Sequence, residues 1–137
     1  MFNNNKISDN YVTNKEGWEK IKQYIPTDKI IYSPFYCDGS MKKYFKEMGY
    51  DIIHNDEDFF INYNKYEYDI IIDNPPFSKR KQVCEKLKEI NKPFIIICTP
   101  NLIACKYFID LFNENLQVII PKIRTKFTKF QSTNCNY

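Results

Sequence analysis

Residues 69–78 read Asp-Ile-Ile-Ile-Asp-Asn-Pro-Pro-Phe-Ser. The three consecutive isoleucines predict a short buried strand. The two prolines end this strand, because proline has no backbone N–H to donate to a neighbouring strand. A rigid loop therefore lies at the carboxyl end of the strand, and in an open α/β sheet this is the edge at which ligands bind.

The loop Asn74-Pro75-Pro76-Phe77 carries groups that suit an amino group on a planar ring. The carboxamide oxygen of Asn74 and the backbone carbonyl of Pro75 are two acceptors, one for each hydrogen of the amine. The ring of Phe77 can stack on the base that carries the amine. The other interpretation is a strand that ends in a proline turn with Asn74 as an ordinary turn former. These four residues alone do not decide between the two.

Asn74-Pro75-Pro76-Phe77 resembles the (Asn/Asp/Ser)-Pro-Pro-(Tyr/Phe/Trp) motif of S-adenosylmethionine-dependent amino-group methyltransferases. Members of that family methylate adenine N6, cytosine N4 or a protein glutamine. The order of the other elements, from about Tyr11 to Phe130, is also similar to that of the family. The resemblance implies S-adenosylmethionine as cofactor and a catalytic role for Asn74, Pro75, Pro76 and Phe77. It is closest to a minimal, stand-alone form of the adenine N6 type.

A second part of the resemblance lies in the first strand–loop–helix unit. Lys29-Ile30-Ile31-Tyr32 predicts a strand, and the helix that follows the loop should end at Gly49. The loop Pro34-Phe35-x-x-Asp38-Gly39 resembles the Pro-Phe-x-Gly-x-Gly loop of the methyltransferases, which implies that Ser33, Pro34, Phe35 and Gly39 bind the cofactor. Ser33 departs from the family, which usually has Asp or Glu there for the methionine ammonium. A hydroxyl is a weaker acceptor for a cation than a carboxylate is.

The resemblance also assigns cofactor roles on either side of this unit. Tyr11-x-Thr13 would be the entrance motif that meets the cofactor's carboxylate, although Thr13 followed by Glu16 also predicts a helix cap. Asp51-Ile52-Ile53-His54 predicts a second strand, and an acid just past it, Asp56 or Glu57, would accept the ribose hydroxyls. Asp58 and Phe59 would border the adenine. His54, the single histidine, is assigned no role.

The remaining pattern alternates strands with helices, which predicts an α/β, Rossmann-like class I methyltransferase fold with a mostly parallel sheet. Residues 61–68 are too short for a full helix and strand, so the third unit should be abbreviated. A helix capped by Ser78 should follow the central loop. Residues 93–100 and Gln117-Val118-Ile119-Ile120 predict two further strands, and the apolar residues between Leu102 and Phe112 predict one last helix between them. We expect the terminal hairpin of the family to be lacking.

Length and composition predict a single domain over residues 11–137, preceded by a flexible tail over residues 1–10. The five cysteines show no CxxC or other metal-binding spacing, so we expect no metal and a reducing, intracellular location in the cytoplasm or nucleus. No apolar stretch approaches the roughly 20 residues of a membrane span.

Two basic stretches are candidates for contacts to nucleic acid phosphates. Lys79, Arg80 and Lys81 follow the central loop, and Lys122, Arg124 and Lys126 alternate along a predicted strand or arm. The net charge of +3 permits an anionic partner without requiring one. No inserted region for target recognition is present, so a protein partner or a second copy of the chain would supply it.

These observations lead to three hypotheses. The first is a methyltransferase that acts on an exocyclic amino group, in particular adenine N6 in DNA or RNA. The second, favoured by Ser33 and the single-glycine loop, is a catalytically inactive relative that binds nucleic acid or a protein partner. The third keeps the chemistry and moves it to the side-chain amide of a protein glutamine, which the same acceptors could hold.

Overall fold

The computed structural model describes residues 11–113, 115–122 and 127–129, so the predicted tail over residues 1–10 lies outside the described part. The strands are β1 (Tyr11–Thr13), β2 (Ile30–Tyr32), β3 (Asp51–Ile53), β4 (Ile70–Asp73), β5 (Phe94–Ile96) and β6 (Phe127–Lys129). The α-helices are α1 (Lys15–Glu19), α2 (Ser40–Glu47), α3 (Phe59–Asn62), α4 (Arg80–Ile90), α5 (Pro100–Ile103) and α6 (Lys106–Phe112), and short 3₁₀ turns span Lys22–Tyr24 and Phe77–Lys79. Among these residues no helix is both long enough and apolar enough to pass through a membrane.

Four strands form one parallel sheet in the order β3-β2-β4-β5. The chain runs from β2 outward to β3 and then returns to place β4 on the other side of β2. This reversal of direction leaves a crevice between the carboxyl ends of β2 and β4, where open α/β sheets bind their ligands. The predicted α/β, Rossmann-like class I methyltransferase fold is confirmed.

Both faces of this sheet are buried, which explains the isoleucine runs. Side chains alternate between the faces of a strand. Ile31, Ile70 and Ile72 therefore pack on one face with Trp18 and Phe45. The opposite face buries Tyr32, Phe35, Phe59, Tyr68, Ile71, Val83 and Leu87.

The N-terminal segment differs from the prediction. Residues Tyr11–Thr13 form β1, which pairs antiparallel with β6 so that Thr13 lies opposite Phe127. The helix that follows has Asn14 as its N-cap residue, and no side chain caps it by a hydrogen bond. The predicted capping role of Thr13 is wrong, because extended backbone paired with a distant strand replaces the helical start.

Three other predictions need correction. Residues 117–120 form no strand: Val118, Ile119 and Ile120 are exposed and pair with no strand among the described residues. High β-propensity alone does not make a strand, which also needs a partner. Ser78 is not the cap of α4, because it lies inside the preceding 3₁₀ turn. The predicted last helix is divided into α5 and α6, whereas the abbreviated third unit is confirmed by the four-residue α3.

Candidate functional site

A pocket of about 30 Å³ lies in the crevice between β2 and β4. Its lining comes from β1, from α1, from the loop after β2, from the start of α2, and from the ends of β3 and β4. Small-molecule sites usually measure about 300–1,000 Å³, so a ligand the size of a nucleoside requires this pocket to widen. The lining residues are Val12, Thr13, Trp18, Phe35, Tyr36, Cys37, Asp38, Ser40, Met41, His54, Asp73 and Asn74.

The buried carboxylate of Asp73, at the end of β4, joins the loops on both sides of the crevice. Its Oδ2 accepts hydrogen bonds from the Ser33 hydroxyl at 2.8 Å and the Phe35 backbone N–H at 2.7 Å. Its Oδ1 accepts one from the Asn74 backbone N–H at 2.7 Å. Burial raises the pKa of Asp73 to about 6, against the opposing effects of nearby His54 and these hydrogen bonds. None of the sequence-based hypotheses assigns Asp73 a role.

Ser33 occupies the position where the resembling family usually has an acid, and the structure places a carboxylate beside it. Its hydroxyl donates to Asp73, and its backbone carbonyl accepts from Nδ1 of His54 at 2.8 Å. Ser33 is fully buried and both of its polar groups are engaged within the protein. The negative charge at this point therefore comes from the neighbouring strand, through Asp73.

The loop after β2 has two residues with left-handed backbone, Cys37 at φ 52° and Gly39 at φ 78°. A side chain at Gly39 would collide with the Tyr36 hydroxyl. The Tyr36 ring stacks on the imidazole of His54, with ring centroids 4.9 Å apart and planes at 28°. The Tyr36 side chain thus lies directly against the glycine turn and lines the pocket. Pro34 lies buried at the start of this loop.

Asn74 begins the loop after β4 and is fixed by the N-terminal strand. Its Nδ2 donates a hydrogen bond of 3.1 Å to the hydroxyl of Thr13. Its Oδ1 is buried and has no hydrogen-bond partner in the part of the chain that the structure describes. Pro75 and Pro76 are buried, and Phe77 is half-buried at the start of the 3₁₀ turn. The carboxamide oxygen is therefore held at the edge of the pocket as an unused acceptor.

Three buried polar atoms around this one pocket lack partners among the described residues. They are Ser40 Oγ, His54 Nε2 and Asn74 Oδ1. Most buried polar groups in proteins are hydrogen-bonded, so a cluster of unpaired ones needs an explanation. Polar ligands with several donors, such as S-adenosylmethionine together with the amine of a target, would satisfy them. The residues present fit such a group by their chemistry, although the pocket must open to admit it.

The predicted ribose and adenine residues lie outside the pocket lining. Glu57 accepts hydrogen bonds from Lys65 at 2.7 Å and from the Tyr66 hydroxyl, and these contacts lower its pKa. Asp56 is exposed. Asp58 caps α3 by accepting from the Phe60 backbone N–H at 2.8 Å.

The last two residues predicted to bind the cofactor are Phe59 and Tyr11, and Phe59 also lies outside the pocket lining. Phe59 packs in the core, with its ring 5.3 Å from that of Phe35. Tyr11 belongs to β1, two residues before Thr13. The structure thus brings Thr13, Phe35, Asp73 and Asn74 to one place. The pocket lining does not include Asp56, Glu57, Asp58 or Phe59.

The basic residues predicted to meet phosphates lie at two places. Lys79 ends the 3₁₀ turn after the central loop, and Arg80 and the exposed Lys81 begin α4. Lys122 is exposed, whereas Arg124 and Lys126 lie outside the described residues. In the described ranges no group of three or more His, Cys, Asp or Glu side chains is arranged to hold a metal ion.

Comparison with known proteins gives a significant match to a methyltransferase. Over 113 residues, 80% of the chain, the sequence is 29% identical to the Type II methyltransferase M.EcoRI of Escherichia coli. The chain is similar to a methyltransferase. It matches 33% of the length of that enzyme, so it spans about a third of the relative. No protein-family model matches the chain. No solved structure matches it significantly.

Proposed function

We propose that the chain is an S-adenosylmethionine-dependent methyltransferase whose target is an exocyclic amino group, in particular adenine N6 in DNA or RNA. The observation that carries this proposal is the unpartnered, buried Oδ1 of Asn74 beside the pocket at the carboxyl end of β4, within the described part of the chain. Similarity to a methyltransferase over most of the chain supports the same reaction class.

The cofactor would bind between the loop after β2 and the end of β4. Gly39 brings the backbone close to it, and Ser40 offers a hydroxyl to which no described residue is bonded. Asp73 lines the pocket and supplies the carboxylate for the methionine ammonium that Ser33 cannot supply. Tyr36 moves aside on binding, because its ring now fills the space above Gly39.

When bound, S-adenosylmethionine supplies an electrophilic methyl group on a sulfonium. Asn74 Oδ1 and the Pro75 carbonyl accept hydrogen bonds from the two hydrogens of the target amine, and Phe77 stacks on the base. This arrangement holds the nitrogen lone pair in line with the methyl carbon, which is the main contribution of the protein. In this reaction the N–C bond would form as the C–S bond of the sulfonium breaks, with S-adenosylhomocysteine as the leaving group, and the methylated nitrogen would release one proton to solvent.

Two basic stretches of the sequence would hold the nucleic acid backbone. Lys79, Arg80 and Lys81 follow directly on the catalytic loop. Lys122, Arg124 and Lys126 precede β6, which pairs with β1 opposite Thr13, and Thr13 contacts Asn74. We also propose that a protein partner or a second copy of the chain contributes to target recognition.

A binding-only function is the second candidate, and the pocket volume of about 30 Å³ favours it. One experiment separates the candidates. The chain is incubated with methyl-tritiated S-adenosylmethionine and, separately, with DNA, RNA and a protein fraction. Label in DNA or RNA supports the proposal when digestion recovers it as N6-methyl-2′-deoxyadenosine or N6-methyladenosine, respectively. Label in the protein fraction alone indicates a glutamine methyltransferase, and nucleic acid binding without label indicates the inactive form; either result overturns the proposal.

A further inference from the structure

His54 is buried inside the fold with one ring nitrogen engaged and the other unpaired among the described residues. The residue is 1% exposed. Its Nδ1 lies 2.8 Å from the backbone carbonyl oxygen of Ser33. A carbonyl oxygen can only accept a hydrogen bond, so Nδ1 must carry the hydrogen. In the neutral ring Nε2 then bears a lone pair, and no described residue donates to this buried atom.

The position of His54 in the sheet indicates what the unpaired nitrogen meets. His54 directly follows β3, the strand beside β2, and it lines the pocket next to the glycine turn. In dinucleotide-binding α/β sheets an acceptor downstream of the glycine-bearing loop binds a ribose hydroxyl. His54 follows the corresponding strand, lines the pocket, and carries a buried acceptor that no described residue satisfies.

The two acids that the sequence suggested as ribose acceptors, Asp56 and Glu57, are placed less favourably than His54 for this contact. Glu57 is engaged by Lys65 and Tyr66, and neither Asp56 nor Glu57 lines the pocket. We propose that Nε2 of His54 accepts a hydrogen bond from one hydroxyl of the cofactor ribose. This inference rests on the proposed function. It differs from an acidic ribose site in one measurable respect: a neutral imidazole offers one acceptor, whereas a carboxylate can accept from both hydroxyls.

Two substitutions at His54 separate a binding role from a structural one. Asparagine places an amide nitrogen near the position of Nδ1 and has no atom at the position of Nε2. Glutamine reaches the position of Nε2 and gives up the bond to Ser33. We expect His54→Asn to bind S-adenosylhomocysteine about tenfold more weakly by calorimetry. We expect His54→Gln to bind within about threefold of the unsubstituted chain while it unfolds at a lower temperature.

Glu57→Gln is the matched control, since it tests the acid that the sequence favoured, and its affinity should equal that of the unsubstituted chain. The reverse pattern, in which His54→Gln loses binding and His54→Asn keeps it, overturns the inference and leaves His54 a structural role. An affinity loss in Glu57→Gln with none in His54→Asn also overturns it.

Ribose analogues test the inference without any substitution. The unsubstituted chain is titrated with the 2′-deoxy and the 3′-deoxy forms of S-adenosylhomocysteine and with 5′-methylthioadenosine. One deoxy form, and only one, should bind about tenfold more weakly, and His54→Asn should no longer discriminate against it. His54→Asn should lower the affinity for 5′-methylthioadenosine, which lacks the amino acid part, by the same factor as the affinity for S-adenosylhomocysteine. If only the affinity for S-adenosylhomocysteine falls, the ribose assignment is overturned.

Binding of S-adenosylhomocysteine to the unsubstituted chain separates a failure of the proposed function from a failure of the His54 inference. Failure of the unsubstituted chain to bind S-adenosylhomocysteine overturns the proposed function and this inference with it. Normal binding that neither His54→Asn nor either deoxy form weakens overturns the inference alone.

Discussion

The Ser33 hydroxyl donates a hydrogen bond of 2.8 Å to Oδ2 of Asp73, which links the carboxyl ends of β2 and β4 at the crevice. The same carboxylate holds the backbone N–H groups of Phe35 and Asn74. One buried side chain thus fixes both the loop expected to bind the cofactor and the loop expected to bind the target. The two halves of the candidate site should respond together to changes at Asp73.

Asp73 should make the stability of the fold depend on pH. Its pKa rises from 3.8 to about 6 on folding because burial disfavours the charged form. The folded state therefore gains stability from the protonated carboxyl below about pH 4, and this gain is lost as the pH rises through about 6. We expect the free energy of unfolding to fall by roughly 2–3 kcal/mol across this range, relative to Asp73→Asn.

Urea unfolding at several pH values measures this difference. Asp110→Asn is the control, because Asp110 is an exposed partner of Lys106. His54 faces the same carboxylate, so the comparison is repeated with His54→Asn in both chains. If the free energy of unfolding changes with pH by the same amount in the unsubstituted chain and in Asp73→Asn, the raised pKa of Asp73 is contradicted.

Gly39 and Gly49 provide a matched pair for testing the glycine turn. Both have left-handed backbone, at φ 78° and φ 89°. A side chain at Gly49 meets nothing within 4 Å, whereas one at Gly39 collides with Tyr36. Alanine at either position should cost about 1–2 kcal/mol of stability from the backbone alone. We expect only Gly39→Ala also to weaken binding of S-adenosylhomocysteine, by calorimetry; equal affinities in the two variants would exclude Gly39 from the site.

Asn74 should matter for turnover far more than for cofactor affinity. We expect Asn74→Ala to lower kcat roughly 100-fold, as loss of one positioned hydrogen-bonding group does in other enzymes. The dissociation constant of S-adenosylhomocysteine should stay within about threefold, because the carboxamide is proposed to contact the target. Asn101→Ala is the control, since Asn101 is exposed on α5. Full activity in Asn74→Ala would reject the catalytic assignment.

Lys81 and Lys88 lie near opposite ends of α4, and both are exposed. If the start of α4 contacts phosphates, Lys81→Gln should weaken binding equally to nucleic acids of any sequence. The slope of the logarithm of the binding constant against the logarithm of the salt concentration should become shallower by about one. Lys88→Gln carries the same change in charge and should leave both quantities unchanged. Fluorescence anisotropy with a labelled oligonucleotide over a series of salt concentrations measures both. An equal effect of the two variants would show that only net charge matters.

Local patterns in the sequence were sufficient to predict the central sheet. The isoleucine runs predicted β2, β3 and β4 because strands buried on both faces need apolar residues at every position. Gly49 correctly marked the end of α2. Strand β1 was missed because its partner, β6, lies near the other end of the chain. Pairing over that separation leaves no local signal.

Only the part of the candidate site that lies in local sequence motifs was predicted. Asn74 and the loop around Gly39 carry recognisable motifs, and the structure places them in or beside the pocket. Asp73 and His54 were overlooked because each is an isolated residue at the end of a strand. Their importance arises from contacts to Ser33, which belongs to a neighbouring strand end. An unpaired buried nitrogen is visible only in three dimensions.

Trp18 offers the most direct test of the cofactor site. It is the single tryptophan of the chain, it is 2% exposed, and it lines the pocket. Its fluorescence, excited at the long-wavelength edge of the indole band to avoid tyrosine, is recorded while S-adenosylhomocysteine is added. The account predicts a saturable change with one ligand per chain and a midpoint that matches calorimetry. No change in fluorescence and no heat at millimolar ligand, in a chain shown by circular dichroism to be folded, would contradict it.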